Sequence, residues 1–458
     1  MTEKNEQFEV TVTDMTDEGM GVGKTSGASS FTWFIKDALI GDLIEAAATR
    51  VKKNYGYARL LRVIEPSPER TEAPCPKARS CGGCQIQELS YAAQLAFKEE
   101  KVRSCLERIG GFCLDDVAFE PILGMENPWR YRNKAQYPVS LDKNGRIVCG
   151  FYAGHTHSVI ECTDCLIGSS RNQEILRVCT TFMEKFHIPP YNETTGKGIV
   201  RHILIRESRC TGDVMVCLVI NADTLKQRDA LVDMLRTSCP FVSTVSLCIN
   251  KEDTNVILGD KVVTLYGAGT IEDSIGDVRF LISPQSFFQV NPVQVEKLYG
   301  KALSYAGLTG TETVWDLYCG VGTISLFLAE HAKQVLGVEI VPQAILNAKE
   351  NARLNGIENA FFEAGKAEEV TPRWLSEGSR PDVICVDPPR KGCDPVCIDT
   401  ILKARPDRIV YVSCDPATLA RDLKVLTEGG YRISRVCPCD MFPHTVHVEC
   451  VCLLSKVK

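Results

Sequence analysis

Cys414 stands in Val412-Ser413-Cys414-Asp415-Pro416-Ala417-Thr418-Leu419-Ala420-Arg421-Asp422, directly after the apolar run from Arg408 to Val412. Asp415 suits a helix N-cap and Pro416 the first helical turn, while Leu419, Leu423 and Leu426 recur on one face. The spacing predicts a strand that ends at a helix N-terminus, with the thiol at the junction. Unpaired backbone N–H groups and the positive end of a helix dipole favour thiolate there, the nucleophilic form of cysteine. A lone cysteine is more often a small buried hydrophobe. Here the neighbouring motifs decide for a nucleophile.

Asp316-Leu317-Tyr318-Cys319-Gly320-Val321-Gly322-Thr323 follows a predicted strand and opens a helix. Its glycines let backbone approach a ligand closely, although a tight turn alone explains a lone G-x-G nearly as well. A second strand ends in Gly337-Val338-Glu339, about twenty residues on, where an acidic side chain is placed for ribose hydroxyls. The departure from G-x-G-x-x-G and the acidic Asp316 fit a nucleoside better than a pyrophosphate. Val383 to Asp387 is a third such strand, followed by Pro388-Pro389-Arg390-Lys391-Gly392. Open α/β sheets bind ligands at the carboxyl ends of their strands, so Glu339, Asp387 and Cys414 are expected to face one crevice. Capping explains any one of these carboxylates, but packing does not explain their common spacing.

Cys75, Cys81 and Cys84 form a C-x5-C-x2-C run with Gly82 and Gly83 inside it. A fourth ligand must come from elsewhere, and Cys162 and Cys165 both stand in Glu161-Cys162-Thr163-Asp164-Cys165. Iron–sulfur, structural zinc and free thiols are the readings for such a set. His155, His157, His202 and His444 show no ligand spacing among themselves, and no metal is assigned to them.

These motifs lie in a chain of 458 residues, long enough for several domains. A formal charge of −6 excludes binding of nucleic acid by bulk charge alone. The polar start from Met1 to Gln7 carries no signal-peptide core, and no apolar run reaches membrane-spanning length. A cytoplasmic monomer without membrane contact is expected. Twenty-two cysteines is heavy usage, but in a long cytoplasmic chain they do not imply a disulfide framework. Those in apolar runs, such as Cys217, Cys248, Cys385, Cys450 and Cys452, read as core filler.

The elements that must position the site change along the chain. Phe8 to Val12, Phe31 to Ile35, Leu43 to Ala48 and Tyr57 to Val63 read as short strands between glycine turns, hence a small closed barrel. Lys52, Lys53, Tyr55 and Tyr57 interleave charge with rings, as a base-stacking surface or a solvated hairpin would. A helix is expected from Tyr91 to Ile109, then β-rich sequence from about 126 to 284. From Thr313 onward strands alternate with helices, which predicts a doubly wound parallel sheet.

At these motifs the chain resembles the S-adenosylmethionine-dependent RNA uracil-5-methyltransferases, in the branch with an N-terminal TRAM barrel and an iron–sulfur cluster. The resemblance is carried in order by the barrel, Ser283 to Pro292, Asp316 to Gly322, Asp387 to Arg390, Ser413 to Asp422 and Asp440 to Glu449. It implies an OB-like TRAM barrel over 1–68 and a central β-rich domain over 69–91 and 126–284. A Rossmann-like methyltransferase domain would take 92–125 and 285–458. It further implies that Gln289, Tyr318, Glu339 and Asp387 contact S-adenosyl-L-methionine, that Cys414 is the nucleophile, and that Glu449 is the general base. Cys165 becomes the fourth ligand with Cys75, Cys81 and Cys84, for a 4Fe–4S cluster with zinc as the alternative. The family pattern often has asparagine where this chain has Asp415.

The implied substrate is a uridine of 23S ribosomal RNA, a tRNA uridine being the nearest alternative. Trp129 to Lys134 mixes cations with rings, and Lys197, Arg201, Arg206 and Arg209 add charge suited to unstacked RNA bases. Phe287 and Phe288 offer a stacking surface, with core packing expected for at least one. A non-catalytic RNA-binding protein on this fold, or an N-methylase using the Asp387 loop, are the other classes, and neither gives Cys414 a purpose.

Overall fold

The computed structural model describes residues 4–25, 31–154 and 156–457. His155 and the first three residues of the polar start lie outside them. The chain divides into two compact units. One holds 1–98, 151–160 and 442–447; the other holds 99–150, 161–441 and 448–458.

In the first unit, β1 (Gln7–Met15), β2 (Gly21–Thr25), β3 (Phe31–Lys36), β4 (Leu43–Val51) and β5 (Tyr55–Glu65) close into a barrel of order β1-β2-β3-β5-β4. Side chains alternate between faces along a strand. Val10, Val12, Trp33, Ile35, Ile44, Ala46 and Ala48 accordingly fill the interior. A Cβ at Gly56 would sit 2.3 Å from the Trp33 ring, so this strand position requires glycine. The buried Asp42 ties the following segment to the barrel, accepting from Leu39 N, Ser67 N and Arg70 Nη2 at 2.8, 2.9 and 2.7 Å. A second cluster joins Met15, Leu39, Ile86, Leu89 and Val446.

The helix expected from Tyr91 forms as α1 (Tyr91–Cys105) and closes in a π-helical turn, Leu106–Gly110. The next strands are β6 (Ala118–Phe119), β7 (Lys134–Leu141), β8 (Ile147–Tyr152) and β9 (Val159–Glu161). After α2 (Asn172–Lys185) come β10 (Val200–Glu207), β11 (Val214–Ile220), α3 (Arg228–Ser238), β12 (Val242–Ile249) and β13 (Lys261–Tyr266). They build a sheet of order β13-β12-β11-β10-β7-β8-β9. β11 is buried at every residue, which explains its unbroken apolar run. β14 (Ile271–Ile275) and β15 (Val278–Ile282) form a hairpin of their own.

The largest sheet begins after α4 (Pro292–Ala306), which Asn291 caps by accepting from Gln294 N. β16 (Thr313–Leu317), β17 (Gln334–Glu339), β18 (Ala360–Ala364), β19 (Val383–Val386) and β20 (Arg408–Ser413) are parallel, in the order β18-β17-β16-β19-β20. Between them run α5 (Thr323–Ala329), α6 (Pro342–Leu354), α7 (Ala367–Ser376) and α8 (Pro395–Ala404), and after β20 follows α9 (Pro416–Glu428). The alternation expected from the sequence is thus a doubly wound, Rossmann-like sheet.

The sheet is not parallel throughout. β21 (Tyr431–Cys439) and β22 (Glu449–Lys456) extend it to β20-β22-β21-β6, and β22 lies antiparallel to both β20 and β21. A hairpin reverses direction without a crossover helix, and none intervenes between β21 and β22. No helix of the described residues is long and apolar enough to cross a membrane.

Candidate active site

Asp415 caps α9 as its sequence predicts, its Oδ1 accepting from Ala417 N and Thr418 N, both at 3.0 Å. Leu419, Leu423 and Leu426 are buried on the inner face of the helix. Cys414 therefore leaves the sheet at its carboxyl end, half-buried, one residue before the cap. The β20–β22 ladder ends at the pair Ser413 and Cys450. In an antiparallel ladder one residue forward on one strand meets one residue back on the other. The next position thus sets Cys414 opposite Glu449, a residue only 5% exposed. β22 is flanked by strands on both sides, so Glu449 is no edge-strand surface carboxylate.

The electrostatics differ from the sequence expectation. Burial, then Glu449 and Asp387, push the Cys414 thiol up to about 12, against the pull of Arg390. Desolvation and two nearby carboxylates outweigh the helix terminus, so the resting group is a thiol. Burial and then Asp387 push Glu449 up to about 8, again opposed by Arg390. Loss of water raises Asp387 to about 7. Cys414, Glu449, Asp387 and Arg390 thus share one electrostatic neighbourhood at the sheet's carboxyl end.

The crevice continues toward β16 and β17. Tyr318 follows β16 with φ of 72°, a left-handed backbone that costs a non-glycine residue stability. It is held there because Tyr318 N and Cys319 N both donate to Val338 O, at 3.0 Å each. Glu339 ends β17 with its carboxylate accepting from Gly320 N at 3.3 Å and Val341 N at 2.9 Å. Gln289 is buried and hydrogen-bonds Tyr299, whose hydroxyl also meets Thr323 Oγ1 at 3.1 Å and feels the charge of Asp387.

The chemistry of these groups fits a nucleoside cofactor. Asp316 is fully buried and pushed up to about 7 by burial, against a hydrogen bond from Ser325, with Asp387 and Glu339 adding to the rise. Its Oδ1 has no partner among the described residues. Beside Glu339, Ile340, Val341 and Leu346 expose apolar surface, 58%, 49% and 59% accessible. A hydroxyl acceptor next to an uncovered apolar strip suits a ribose and a purine face.

Sequence reasoning gave Arg390 and Asp422 no role, although both stand in quoted motifs. The buried Asp422 accepts from Tyr411 Oη at 2.7 Å, Cys393 N at 2.8 Å and Arg421 Nε at 2.8 Å. Arg421 Nη2 donates to Lys391 O at 2.8 Å, and Thr418 Oγ1 to Arg390 O at 3.1 Å. The loop after Asp387 is thereby stapled to the helix that follows Cys414. A Cβ at Gly392 would strike this staple, 2.4 Å from Arg421 Nη2. A charged residue at position 422, in line with the buried face of Leu419, Leu423 and Leu426, is the one signal that could have found it.

The matches to known proteins agree with this geometry. The tRNA (Uracil-5-)-methyltransferase family model matches residues 270–457, and the TRAM domain model matches residues 2–61. An uncharacterized RNA methyltransferase of Halalkalibacterium halodurans is 48% identical over 452 residues, 99% of this chain and 97% of that one. The chain belongs to the S-adenosylmethionine-dependent RNA uracil-5-methyltransferase family. A second relative, an uncharacterized RNA methyltransferase of Bacillus cereus, is 49% identical over 460 residues, 100% of this chain and 98% of that one. The crystal structure of Pyrococcus abyssi tRNA (uracil-54, C5)-methyltransferase with S-adenosyl-L-homocysteine matches at TM-score 0.76 and 28% identity. The match covers 98% of this chain and 100% of that one.

Several residues that the sequence offered to RNA also make bonds within the fold. Arg130 pairs with Asp164 and donates to Cys165 O at 2.9 Å, and Arg201 donates to Glu252 O at 2.7 Å while stacking on Tyr191. Of the phenylalanine pair, Phe288 is buried against Phe280, whereas Phe287 is 70% exposed. On the barrel, Tyr55 and Tyr57 meet edge to face at 5.8 Å, with Phe34 against both.

The cysteine loop is a series of tight turns, with Ala78 N on Cys75 O, Cys81 N on Lys77 O and Gly82 N on Tyr152 O. Among the described residues no group of three or more His, Cys, Asp or Glu side chains is arranged to hold a metal ion. A hydrogen bond from Cys162, then Ile167 N and Gly168 N, draw the Cys165 thiol down to about 6 against its burial.

Proposed function

We propose that this methyltransferase methylates carbon 5 of a uridine in 23S ribosomal RNA through a covalent bond between Cys414 and carbon 6 of the base. The observation that carries the reading is the β20–β22 register, which sets a thiol opposite a buried carboxylate at the carboxyl end of the parallel strands. S-adenosyl-L-methionine, held by Gln289, Tyr318, Glu339 and Asp387, supplies an electrophilic methyl group.

Carbon 5 of uracil is too poor a nucleophile to take that methyl unaided. Addition of the Cys414 sulfur to carbon 6 places the ring's electron pair on an enolate and raises its density at carbon 5. The resting thiol must first lose its proton, and Asp387 and Glu449 lie in its electrostatic neighbourhood. Once carbon 5 carries the methyl group, Glu449 removes the remaining proton. The electrons of that C–H bond re-form the ring double bond, and the sulfur leaves as thiolate. A carboxyl raised to about 8 suits a base working near neutral pH. The target base must be flipped or single-stranded to enter, and exposed Phe287 stands ready to stack on it.

The proposed domains are the RNA-binding barrel over 1–68, the central domain over 69–91 and 126–284, and the methyltransferase domain over 92–125 and 285–458. Cys75, Cys81, Cys84 and Cys165 are the proposed ligands of a 4Fe–4S cluster, with zinc the alternative. The C-x5-C-x2-C spacing supports that site, and no methyl chemistry runs through it. Iron, sulfide and zinc analysis of anaerobically purified protein separates the two.

Transfer RNA is the second reading, favoured by the name of the Pyrococcus abyssi relative. Mapping 5-methyluridine in ribosomal and transfer RNA from cells lacking the protein decides between them. Loss from neither overturns the proposal. For the mechanism, Glu449→Gln is expected to accumulate methylated RNA bound to protein, seen as a retarded band on denaturing gels. Cys414→Ala is expected to give no such band and no turnover. Turnover by Cys414→Ala removes the covalent route.

A further inference from the structure

β7 and β10 pair antiparallel with Lys134 directly opposite Arg206, so two cations share one face of the central sheet. Like charges in that position destabilise a sheet. Arg206 is 1% exposed; its Nη2 donates to Ser286 O at 3.1 Å, and its Nε and Nη1 have no partner among the described residues. The carboxylate acting on Arg206 is Asp273, whose Oδ1 is occupied by Arg209 N, Cys210 N and Ser274 N. Lys134 is worse placed. Burial, then Arg206 and Arg132, push it down to about 7, and no carboxylate is among the charges acting on it. A buried cation without a counter-charge is expensive, and an arriving anion relieves the cost.

The pair borders the loop that carries Phe287 and Gln289. Asn133 N donates to Val290 O at 2.9 Å, Asn133 Nδ2 to Gln289 O at 3.2 Å, and Arg206 holds Ser286 as described. Asp316, Asp387 and Glu339, the carboxylates of the cofactor crevice, are not among the charges acting on Lys134. An anion that relieved the pair would therefore sit beside the segment that presents the exposed Phe287 ring.

We propose that Lys134, with Arg206 behind it and Arg132 beside it, seats a backbone phosphate of the RNA adjoining the nucleotide that enters the crevice. This rests on the RNA-methylating reading above. Lys134 makes the contact. Arg206 is a positioning residue, fixing the Ser286 carbonyl and supplying field from below.

The test compares wild type, Lys134→Gln and Lys134→Arg for affinity to an unmodified 23S ribosomal RNA transcript across a potassium chloride series. S-adenosyl-L-methionine affinity and thermal midpoint are measured alongside. One lost single-strand phosphate contact lowers the log–log salt slope by about 0.7. Lys134→Gln is expected to show that decrease and roughly tenfold weaker RNA binding. Its cofactor affinity should be unchanged, and its midpoint no lower, because a like-charge repulsion has gone. Lys134→Arg should keep the slope. An unchanged slope and affinity in Lys134→Gln overturns the phosphate seat, as does a change in cofactor affinity alone. Wild-type adduct formation on a 5-fluorouridine transcript, run in parallel, reports on the methylation reading separately.

Discussion

The resting state of Cys414 makes a quantitative prediction about alkylation. Burial, Glu449 and Asp387 lift the thiol from an ordinary 9.0 to about 12. At pH 8 an ordinary thiol is roughly one-tenth thiolate, whereas one at about 12 is thiolate about once in ten thousand molecules, a deficit near a thousandfold. The more basic sulfur is intrinsically the better nucleophile, and a Brønsted slope near 0.45 over about three units restores roughly twentyfold. Iodoacetamide should therefore modify Cys414 roughly fortyfold more slowly than an ordinary accessible thiol, read by mass spectrometry of the Cys414 peptide.

The neighbours then supply the sign test. Glu449→Gln and Asp387→Asn each remove a charge that raises the thiol, so both should speed alkylation, about threefold for each unit of pKa recovered. Arg390→Gln removes the charge that lowers it and should slow alkylation by a comparable factor. A wild-type Cys414 that reacts like an ordinary thiol refutes the reasoning, and so does acceleration by Arg390→Gln.

Asp316, Asp387 and Glu449 keep their protons to about 7, 7 and 8 in the folded protein, against 3.8, 3.8 and 4.5 for ordinary carboxyls. Between these limits the native state binds more protons than the unfolded chain, so their contribution is complete below about pH 4 and is lost as pH rises through 7 to 8. The urea midpoint of the protein without cofactor should thus be higher at pH 6 than at pH 8.5, with Asp316→Asn flattening the difference. Asp422→Ala orphans Tyr411 Oη and Cys393 N in the interior, at about 1–3 kcal/mol each. Its urea midpoint should fall with the denaturant slope unchanged, and methyl transfer should slow because the Arg390 loop loses its Cys393 tie to α9.

The strand-to-helix passage at Cys414 was legible because its cap, proline and leucine spacing are local signals. The barrel and the five parallel strands were legible for the same reason, period and punctuation lying within each segment. What the sequence concealed is non-local. The antiparallel insertion of β22 between β20 and β21 places Glu449 against Cys414, and no periodicity in either segment announces a partner so far along the chain. The charge state of Cys414 was misjudged for a related reason. The helix terminus is a sequence feature, whereas the burial that overrules it, and the carboxylates that add to it from β22 and the end of β19, appear only in the fold. Likewise Arg130 and Arg201 read as surface cations, but their hydrogen bonds to distant carbonyls only appear once the sheets are formed.

The spacing of sulfur and carboxylate across the β20–β22 seam is metered by main-chain hydrogen bonds. Rotamers adjust a side chain by fractions of its length, but a ladder moves only in whole residues, and a slip of one turns a side chain to the opposite face. Offset by one, the place across from the thiol would go to Val448, which has no basic group, or to Cys450, whose buried thiol is pushed well above its ordinary range. Conservative substitutions between Cys439 and Glu449 should consequently be forgiven more readily than the gain or loss of a single residue there.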